Sequence, residues 1–146
     1  MKNVKPIPEN FPRVSPYLIV KDVTTTMEFI RYVFDAEERE KMIQPDGTVN
    51  HGEVSIGNSV IMMGKASEDH KLQNAMLYIY VEDTDATYKR AIEKGALSVM
   101  EPADQFYGDR TAGVKDEDGI RWWMASHVEN VSPEEMQKRN EERTKK

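Results

Sequence analysis

His51 and Glu53 are the residues whose types and spacing are best suited to acid–base chemistry. The segment Val49–Ile56 has the character of a strand, and residues two apart on a strand share a face. A carboxylate beside an imidazole raises the pKa of the imidazole, and such a pair can transfer protons as a general acid and base. His51 and Glu53 are therefore candidate catalytic residues. The alternative is a structural histidine that is hydrogen-bonded near a sheet edge.

A loop with polar and aromatic side chains offers a second candidate site. Gly108 permits the close approach of a ligand, and Arg110 can hold a carboxylate or phosphate with two parallel hydrogen bonds. Gln105 can orient a polar group of the ligand, and Phe106 adds an aromatic ring. The alternative is an internal brace, formed by Asp109 with Arg110 or by the loop with the sheet, that fixes a long connection.

The composition excludes several kinds of chemistry. The chain has no cysteine, so thiolate nucleophiles, disulfides and zinc sites with cysteine ligands are ruled out. The sequence has no glycine-rich phosphate loop, no nucleophile elbow and no dinucleotide fingerprint. The three histidines do not have the spacing of a metal motif, since His70 lies in a polar linker and His127 follows the last predicted strand. We expect both of these side chains to be exposed.

Size and charge indicate one ordinary globular domain that does not bind nucleic acid. The chain has 146 residues, of which 38% are hydrophobic and 32% charged, and its net charge is -6. Such a surface repels phosphate backbones and attracts a cationic small molecule. No apolar run approaches the ~20 residues that cross a bilayer, and residues 1–10 lack the apolar core of a secretion signal. We expect no membrane association, and a cytoplasmic location fits the absence of cysteine.

A repeated pattern sets out the elements that must position these residues. Tyr17-Leu18-Ile19-Val20-Lys21-Asp22 is matched by Tyr78-Ile79-Tyr80-Val81-Glu82-Asp83, and each is a short apolar strand that ends in an aspartate able to cap a helix. Val20 corresponds to Val81, and Met62 to Trp123, at the same spacing. A constant offset from the first strand to the last indicates a structural duplication.

Each half of the chain is predicted to be a βαβββ module. Periodicity predicts two helices, Val23–Phe34 and 84–94, the second of which ends at Gly95. A third, charged helix is predicted to begin at Ser132-Pro133 and to run toward Arg143. The remaining predicted strands are 38–44, Val49–Ile56 and 59–63 in the first half, and 97–101, 110–115 and 120–126 in the second, with a loop over 102–108.

The tandem modules resemble the vicinal oxygen chelate superfamily, which includes glyoxalase I, extradiol dioxygenases and bleomycin-resistance proteins. Local motifs carry the resemblance further, to a glyoxalase-like branch of unsettled activity. These motifs are Phe34-Asp35-Ala36-Glu37, Pro102-Ala103-Asp104-Gln105-Phe106-Tyr107-Gly108-Asp109-Arg110, Asp116-Glu117-Asp118-Gly119 and Glu129-Asn130-Val131-Ser132-Pro133-Glu134-Glu135-Met136.

The resemblance implies an α+β fold in which two βαβββ modules form a cupped mixed sheet around a pocket, commonly within a homodimer. We expect a flexible arm over 1–13 and a single glyoxalase-like domain over 14–131. That domain comprises module one (14–64), a linker (65–74) and module two (75–128). A charged helix and tail over 132–146 complete the chain.

The metal ligands of the superfamily fall on unsuitable residues here. By the resemblance, the four ligand positions are Ser15, Met62, Met76 and Trp123. A hydroxyl, two thioethers and an indole do not make a site for a hard or borderline divalent ion. We therefore predict no metal and no cofactor, and metal-dependent glyoxalase or dioxygenase activity is not expected.

The same positions define the pocket face if strand alternation is applied to them. Side chains on that face could stack on planar ligands and attract cations, whereas the alternative is that the rings only fill space between the sheets. With the loop residues, the predicted ligand-binding set is Tyr17, Met62, Met76, Tyr78, Tyr80, Gln105, Phe106, Arg110, Arg121 and Trp123.

The leading functional hypothesis is metal-independent binding of a small planar or cationic organic molecule, with drug sequestration as one use of such binding. One alternative is an enzyme of the same superfamily, a lyase, isomerase or dioxygenase, that uses His51 and Glu53 or a metal held by displaced ligands. Another is a structural or regulatory dimer with a vestigial pocket. A small-molecule ligand and a second copy of the chain are the expected partners.

Overall fold

The chain divides into two compact units, and each contains one βαβββ module. The computed structural model describes residues 3–145, and the units are Met1–Gln73 and Asn74–Lys146. The first two residues of the predicted arm and Lys146 of the predicted tail lie outside the described residues. Both units combine a four-stranded mixed sheet with helix, so the predicted α+β fold and its duplication are confirmed.

The first unit is a sheet in the order β1-β4-β3-β2 with one helix on it. The strands β1 and β4 are parallel, whereas β2, β3 and β4 pair antiparallel. Its elements are β1 (Tyr17–Val20), α1 (Val23–Phe34), β2 (Glu37–Ile43), β3 (Val49–Ile56) and β4 (Ser59–Lys65).

Helix α1 has the bounds predicted from its caps and its apolar spacing. The Asp22 carboxylate accepts a hydrogen bond from the Thr25 backbone N–H at 2.9 Å, which satisfies one free donor of the first turn. Asp35 ends the helix in the left-handed conformation, with φ 54°. Met27 and Ile30 on the apolar stripe are buried against the sheet.

The second unit repeats this arrangement and adds a C-terminal helix. Its sheet has the order β5-β8-β7-β6, with β5 and β8 parallel. Its elements are β5 (Met76–Tyr80), α2 (Thr84–Glu93), β6 (Leu97–Asp104), β7 (Asp109–Lys115), β8 (Arg121–His127) and α3 (Pro133–Thr144).

Helix α2 is capped as α1 is, and it covers one face of the sheet. The Asp83 carboxylate accepts from the Ala86 backbone N–H at 3.0 Å, and Gly95 follows the helix with φ 101°. Trp122 is fully buried, and its indole N–H donates to Asp116 at 2.9 Å. This bond ties the core of the unit to the turn between β7 and β8.

Strand β6 is longer than predicted, and the predicted loop over 102–108 is correspondingly wrong in extent. Ala103 pairs with Thr111 and Asp104 with Arg110, so the strand resumes after an irregularity that follows Met100. Pro102 is tolerated because β6 is an edge strand and needs no donor on its open side. Only residues 105–108 form the turn, which Gly108 closes with its N–H on the Gln105 carbonyl at 3.1 Å.

Helix α3 begins where the proline and the capping serine predict, and charged contacts hold it to the second unit. Ser132 accepts from the Glu135 backbone N–H at 3.2 Å. Arg139 donates to the Phe106 carbonyl at 3.0 Å and binds both carboxylate oxygens of Glu129 at 2.8 Å. Across residues 3–145, no helix has the length and apolar character needed to span a bilayer.

Candidate functional site

A cluster of tyrosine, aspartate and histidine side chains lies on the face of the second sheet opposite helix α2. Arg110 marks the helix side of β7, because its guanidinium bonds to Asp85 of α2. By alternation, Asp109 points to the other face. Unbroken pairing of β7 with β8 brings Asp109 opposite His127.

Asp109 is the centre of this cluster, and its carboxylate accepts three side-chain hydrogen bonds. One oxygen, Oδ2, accepts from the hydroxyls of Tyr78 at 2.7 Å and Tyr80 at 2.8 Å. The other, Oδ1, lies 3.0 Å from Nδ1 of His127. Asp109 is only 3% exposed, so these bonds replace the water that an isolated carboxylate would need.

His127 has an oxygen partner at each ring nitrogen. Nδ1 faces the Asp109 carboxylate, which can only accept, so this nitrogen carries a proton. Nε2 lies 2.8 Å from Oδ1 of Asn130. An imidazolium donates to both oxygens at once, so the surroundings of His127 favour its charged form.

The pKa values of the cluster shift in the directions that these bonds require. The hydrogen bond to Asp109, followed by that to Asn130, raises the pKa of His127. Burial opposes the charge on Asp109, yet the hydrogen bonds from His127 and the two tyrosines outweigh it and hold the pKa of that carboxyl low. Burial and hydrogen bonding raise the pKa of the Tyr78 phenol, and the bond to Asp109 raises that of Tyr80. Both phenols therefore stay neutral donors.

The rings bonded to Asp109 remain accessible, and with Met76 they form what we call the tyrosine face. Met76 is 66% exposed, Tyr78 is 43% and Tyr80 is 62%. The two rings meet edge to face, with centroids 5.5 Å apart and planes at 75°. The hydroxyl of Tyr107 lies 3.4 Å from that of Tyr78 and donates to it, because the Tyr78 proton is directed at Asp109.

Trp123 and Arg121 lie on the same face of the sheet as the tyrosines. Trp123 pairs with Tyr78 on one side and Gly113 on the other, and Arg121 pairs with Met76 and is exposed. A Cβ at Gly113 would come within 2.9 Å of the indole ring. The Trp123 indole nitrogen is buried and has no hydrogen-bond partner in the part of the chain that the structure describes.

Each loop residue predicted to bind ligand contacts residues outside the tyrosine face. Arg110 is on the helix side and holds Asp85 of α2 and Asp104 of β6 at 2.7–3.1 Å, so its partner is not the Asp109 named in the bracing alternative. The Phe106 ring is half-buried and stacks under the guanidinium of Arg143 at 4.6 Å. Gln105 is half-buried, with a weak contact of 3.5 Å to the Ala103 carbonyl.

In the first unit, the structure brings His51 and Glu53 together and adds Tyr17. Nε2 of His51 lies 3.0 Å from a carboxylate oxygen of Glu53, and Nδ1 lies 3.1 Å from the Tyr17 hydroxyl. Glu53 is 7% exposed and Tyr17 is 51% exposed, so the chain of bonds runs from a buried carboxylate to the surface. No local pattern in the sequence indicates that Tyr17 contacts the histidine.

Met62 lies between Tyr17 and Glu53 in the register of the first sheet. It pairs with Tyr17 on β1 and with Glu53 on β3, and it is half-buried. Its neighbour on the same face, Gly64, leaves room for the Tyr17 ring, because a Cβ there would come within 2.8 Å of the phenol oxygen.

The positions that the resemblance assigns to a divalent metal carry side chains that do not suit one in either unit. The first unit offers the hydroxyl of Ser15 and the thioether of Met62, and the second offers the thioether of Met76 and the indole of Trp123. A hard or borderline ion prefers carboxylate, imidazole or thiolate ligands. Within residues 3–145, no three histidine or acidic side chains cluster in a way that could hold a metal ion.

Sequence reasoning missed Asp109, Tyr107 and His127 as members of a site. The predicted turn at Asp116-Glu117-Asp118-Gly119 is one residue too short to reveal this pair, because counting outward from it places Asp109 opposite Ser126. In the structure Lys115 pairs with Arg121, and this register places Asp109 opposite His127. Tyr107 lies in the turn over 105–108, and no periodic pattern fixes its direction.

The chain is similar to mycobacterial proteins at 31% identity. A protein of Mycobacterium bovis is 31% identical over 137 residues, covering 86% of this chain and 90% of its own length. A protein of Mycobacterium tuberculosis shares the same identity and covers 81% of its own length. Both are described as uncharacterized proteins.

Solved structures show the same fold at low identity. TioX from Micromonospora sp. ML1 superposes with a TM-score of 0.68 at 20% identity, covering 80% of this chain and 99% of its own. A glyoxalase/bleomycin resistance protein/dioxygenase family enzyme from Burkholderia phytofirmans PsJN superposes with a TM-score of 0.65 at 16% identity, covering 78% and 97%. The sequence model of one family matches residues 11–124 of this chain. The chain therefore belongs to the Glyoxalase/Bleomycin resistance protein/Dioxygenase superfamily.

Proposed function

We propose that this chain binds a small planar or cationic organic molecule on the tyrosine face, without a divalent metal. The observation that carries the proposal is the sharing of one carboxylate oxygen by two phenols. Tyr78 and Tyr80 both donate to Oδ2 of Asp109 while their rings stay 43% and 62% exposed. The buried Asp109 carboxylate therefore holds two exposed aromatic rings in fixed positions, where a ligand can stack on them.

Anchoring lowers the entropic cost of binding at this face. A tyrosine that is free to rotate must be ordered when a ligand stacks on it, at a cost of about 0.5–1.5 kcal/mol per side chain. Here the Asp109 carboxylate already fixes both hydroxyls, and His127 fixes the carboxylate from the other side. The contact energy with a ligand is therefore largely retained as affinity.

The charge distribution favours a cation or an electron-poor planar ring. A phenol that donates to a carboxylate is richer in electrons than a free phenol, and a cation over such a ring gains about 0.5–2 kcal/mol. The thioether of Met76, 66% exposed, adapts to irregular ligand shapes. The net charge of -6 adds a long-range attraction for cations.

Three probes of similar ring size and different charge test this proposal. They are N-methylquinolinium (a cation), quinoline (neutral) and 2-naphthalenesulfonate (an anion), titrated calorimetrically into the full chain. We expect the cation to bind tightest, by about threefold or more over quinoline. Tyr80→Leu removes one ring and should weaken cation binding by a similar factor. Tyr80→Phe keeps the ring but loses the hydrogen bond to Asp109. Its affinity for the cation should therefore fall by less than that of Tyr80→Leu.

Tyr32→Leu is the matched control, because Tyr32 is 46% exposed on α1 in the first unit. It should leave the affinity for N-methylquinolinium unchanged. Equal affinities for all three probes, or a Tyr80→Leu variant that binds as wild type, would overturn the proposal.

A second candidate function is catalysis by the first unit, as an enzyme of the same superfamily. One observation favours it, the 3.0 Å hydrogen bond between His51 and Glu53. A histidine oriented by a carboxylate is a common general base. Turnover that is lost in His51→Ala and kept in Tyr80→Leu would establish this function for the first unit.

We also propose a homodimer, which the family resemblance implies. Apolar side chains on edge strands support it: Met42 and Ile43 on β2 are 51% and 65% exposed, and Leu97 on β6 is 66% exposed. Light scattering during gel filtration tests it. A mass twice that of the 16.8 kDa chain is expected, and a mass equal to one chain would contradict it.

A further inference from the structure

The first unit carries a chain of hydrogen bonds that ends at an exposed phenol. We infer that Tyr17, His51 and Glu53 form a proton relay, which makes the Tyr17 phenol an activated acid–base group. This inference deepens the enzymatic candidate function and is independent of the tyrosine face in the second unit.

The direction of the relay follows from its donors and acceptors. The Glu53 carboxylate accepts from Nε2–H of His51 at 3.0 Å, so in the neutral imidazole Nδ1 is left without a proton. Nδ1 then accepts from the Tyr17 hydroxyl at 3.1 Å. The Tyr17 side chain that ends this chain of bonds is half exposed.

Burial and packing keep the relay in this geometry. Glu53 is 7% exposed, and Nε of Arg39 lies 3.9 Å from its second oxygen. The Tyr17 ring lies across Gly64, where a Cβ would come within 2.8 Å of the phenol oxygen. A carboxylate that orients a histidine, which in turn contacts a hydroxyl, is the general arrangement that activates a hydroxyl in enzymes.

The proton transfers that the relay allows indicate the type of reaction it could catalyse. As the Tyr17 oxygen takes a proton from a bound acid, its own O–H bond breaks and an N–H bond forms at Nδ1 of His51. The electron pair of the broken substrate bond stays on the substrate, and Glu53 stabilises the imidazolium. A small carbonyl compound with an acidic C–H bond fits this step, because enolate formation needs a base and no oxidant, reductant or leaving group.

Acetylation of the phenol measures its activation without a known substrate. The full chain is treated with N-acetylimidazole, and the rates of acetylation of individual tyrosines are followed by peptide mass spectrometry. Tyr32 is the internal standard, because its exposure of 46% is close to the 51% of Tyr17. We expect Tyr17 to react about 10-fold faster than Tyr32, since His51 removes the phenol proton during attack.

Three variants separate the relay from simple exposure. His51→Phe keeps a ring but removes the acceptor, and it should bring the Tyr17 rate down to about that of Tyr32. Gly64→Ala should do the same by crowding the Tyr17 ring off His51 while all three relay residues stay intact. In Glu53→Gln the side chain still accepts from Nε2–H but carries no charge. The Tyr17 acetylation rate of this variant should therefore lie between those of the wild type and His51→Phe. The rate at Tyr32 should stay constant throughout.

The outcomes also separate this inference from ligand binding at the tyrosine face. A Tyr17 rate that equals that of Tyr32 in the wild type, or that is the same in wild type, His51→Phe and Gly64→Ala, would overturn the relay. If His51→Phe does not fold, Gly64→Ala alone decides. Gly64→Ala should bind N-methylquinolinium with the affinity of the wild type. Tyr80→Leu should bind it more weakly, but its Tyr17 should be acetylated at the wild-type rate.

Discussion

In the second unit, Nδ1 of His127 donates to Oδ1 of Asp109 at 3.0 Å across the β7–β8 pair. The same carboxylate binds the hydroxyls of Tyr78 and Tyr80 through its other oxygen. One buried acid therefore links the histidine at the end of β8 to the two exposed rings of β5. The orientation of the tyrosine face depends on this link.

Removal of the acid should destabilise the chain. Asp109→Ala leaves three donors without their acceptor in a site that is 3% exposed in the native chain. Loss of hydrogen bonds to a buried charged group costs about 2–3 kcal/mol, and urea unfolding measures the change. Asp69→Ala, in the exposed linker, is the matched control and should change the free energy of unfolding little. Equal stabilities for the two variants would contradict the role of Asp109.

The contribution of His127 to stability should depend on pH. Its pKa is raised in the folded chain, so its stabilising effect is fully present below the unfolded pKa of about 6.5 and is lost as the pH rises through the folded pKa. His127→Gln should therefore lower the urea midpoint more at about pH 5.5 than at about pH 9. Both values lie above the pKa of Asp109, which is lowered, so the partner stays ionised.

His70→Gln serves as the control for this pH dependence, because His70 lies exposed in the linker. Its effect on the urea midpoint should be the same at both pH values. A His127→Gln variant with an equally constant effect would show that the imidazolium does not contribute through Asp109.

The helices and most of the strands were predictable because they depend on local signals. Asp22 and Asp83 cap their helices as the sequence indicates, and Gly95 takes the positive φ expected of a terminator. The end of β6 was not predictable, since Pro102 is a turn signal that becomes acceptable only on an edge strand. The end of β6 depends on its pairing with β7, which the local sequence pattern does not encode.

The candidate sites were predictable only in part, for a similar reason. His51 and Glu53 are two apart on one strand, so alternation alone places them together. The contact of Tyr17 with His51 depends on the space above Gly64 and on a pairing of distant strands. Arg110 was grouped with the ligand site by its chemistry, but the direction of its side chain depends on the register of β7.

A side chain at Gly113 should disturb the sheet face beside the tyrosines. A Cβ there would lie 2.9 Å from ring atoms of Trp123, and a half-buried indole has little freedom to move. Gly113→Ala should cost about 1–3 kcal/mol of unfolding free energy and shift the tryptophan fluorescence. In Gly64→Ala the crowded atoms belong to the exposed Tyr17 phenol, so the cost should be smaller. A larger loss of unfolding free energy in Gly64→Ala than in Gly113→Ala would contradict the tight packing of Trp123 on Gly113.

The proposed binding should not require a metal ion. The residues that the resemblance assigns to the metal positions are Ser15, Met62, Met76 and Trp123, which lack suitable donors. Elemental analysis of protein purified without chelator or metal-affinity resin should find no stoichiometric divalent metal. Dialysis against a chelator should leave the affinity for N-methylquinolinium unchanged. A stoichiometric ion, or binding lost on chelation, would contradict the metal-independent proposal.

NMR can show whether a ligand binds on the tyrosine face of the full chain. Spectra of the full chain with isotope-labelled methionine and tyrosine, recorded during titration with N-methylquinolinium, report each side chain of the tyrosine face separately. We expect Met76, Tyr78 and Tyr80 to show the largest shifts and to titrate with one common dissociation constant. Saturable binding whose largest shifts fall on other residues, or no saturable shift at these three, would contradict it.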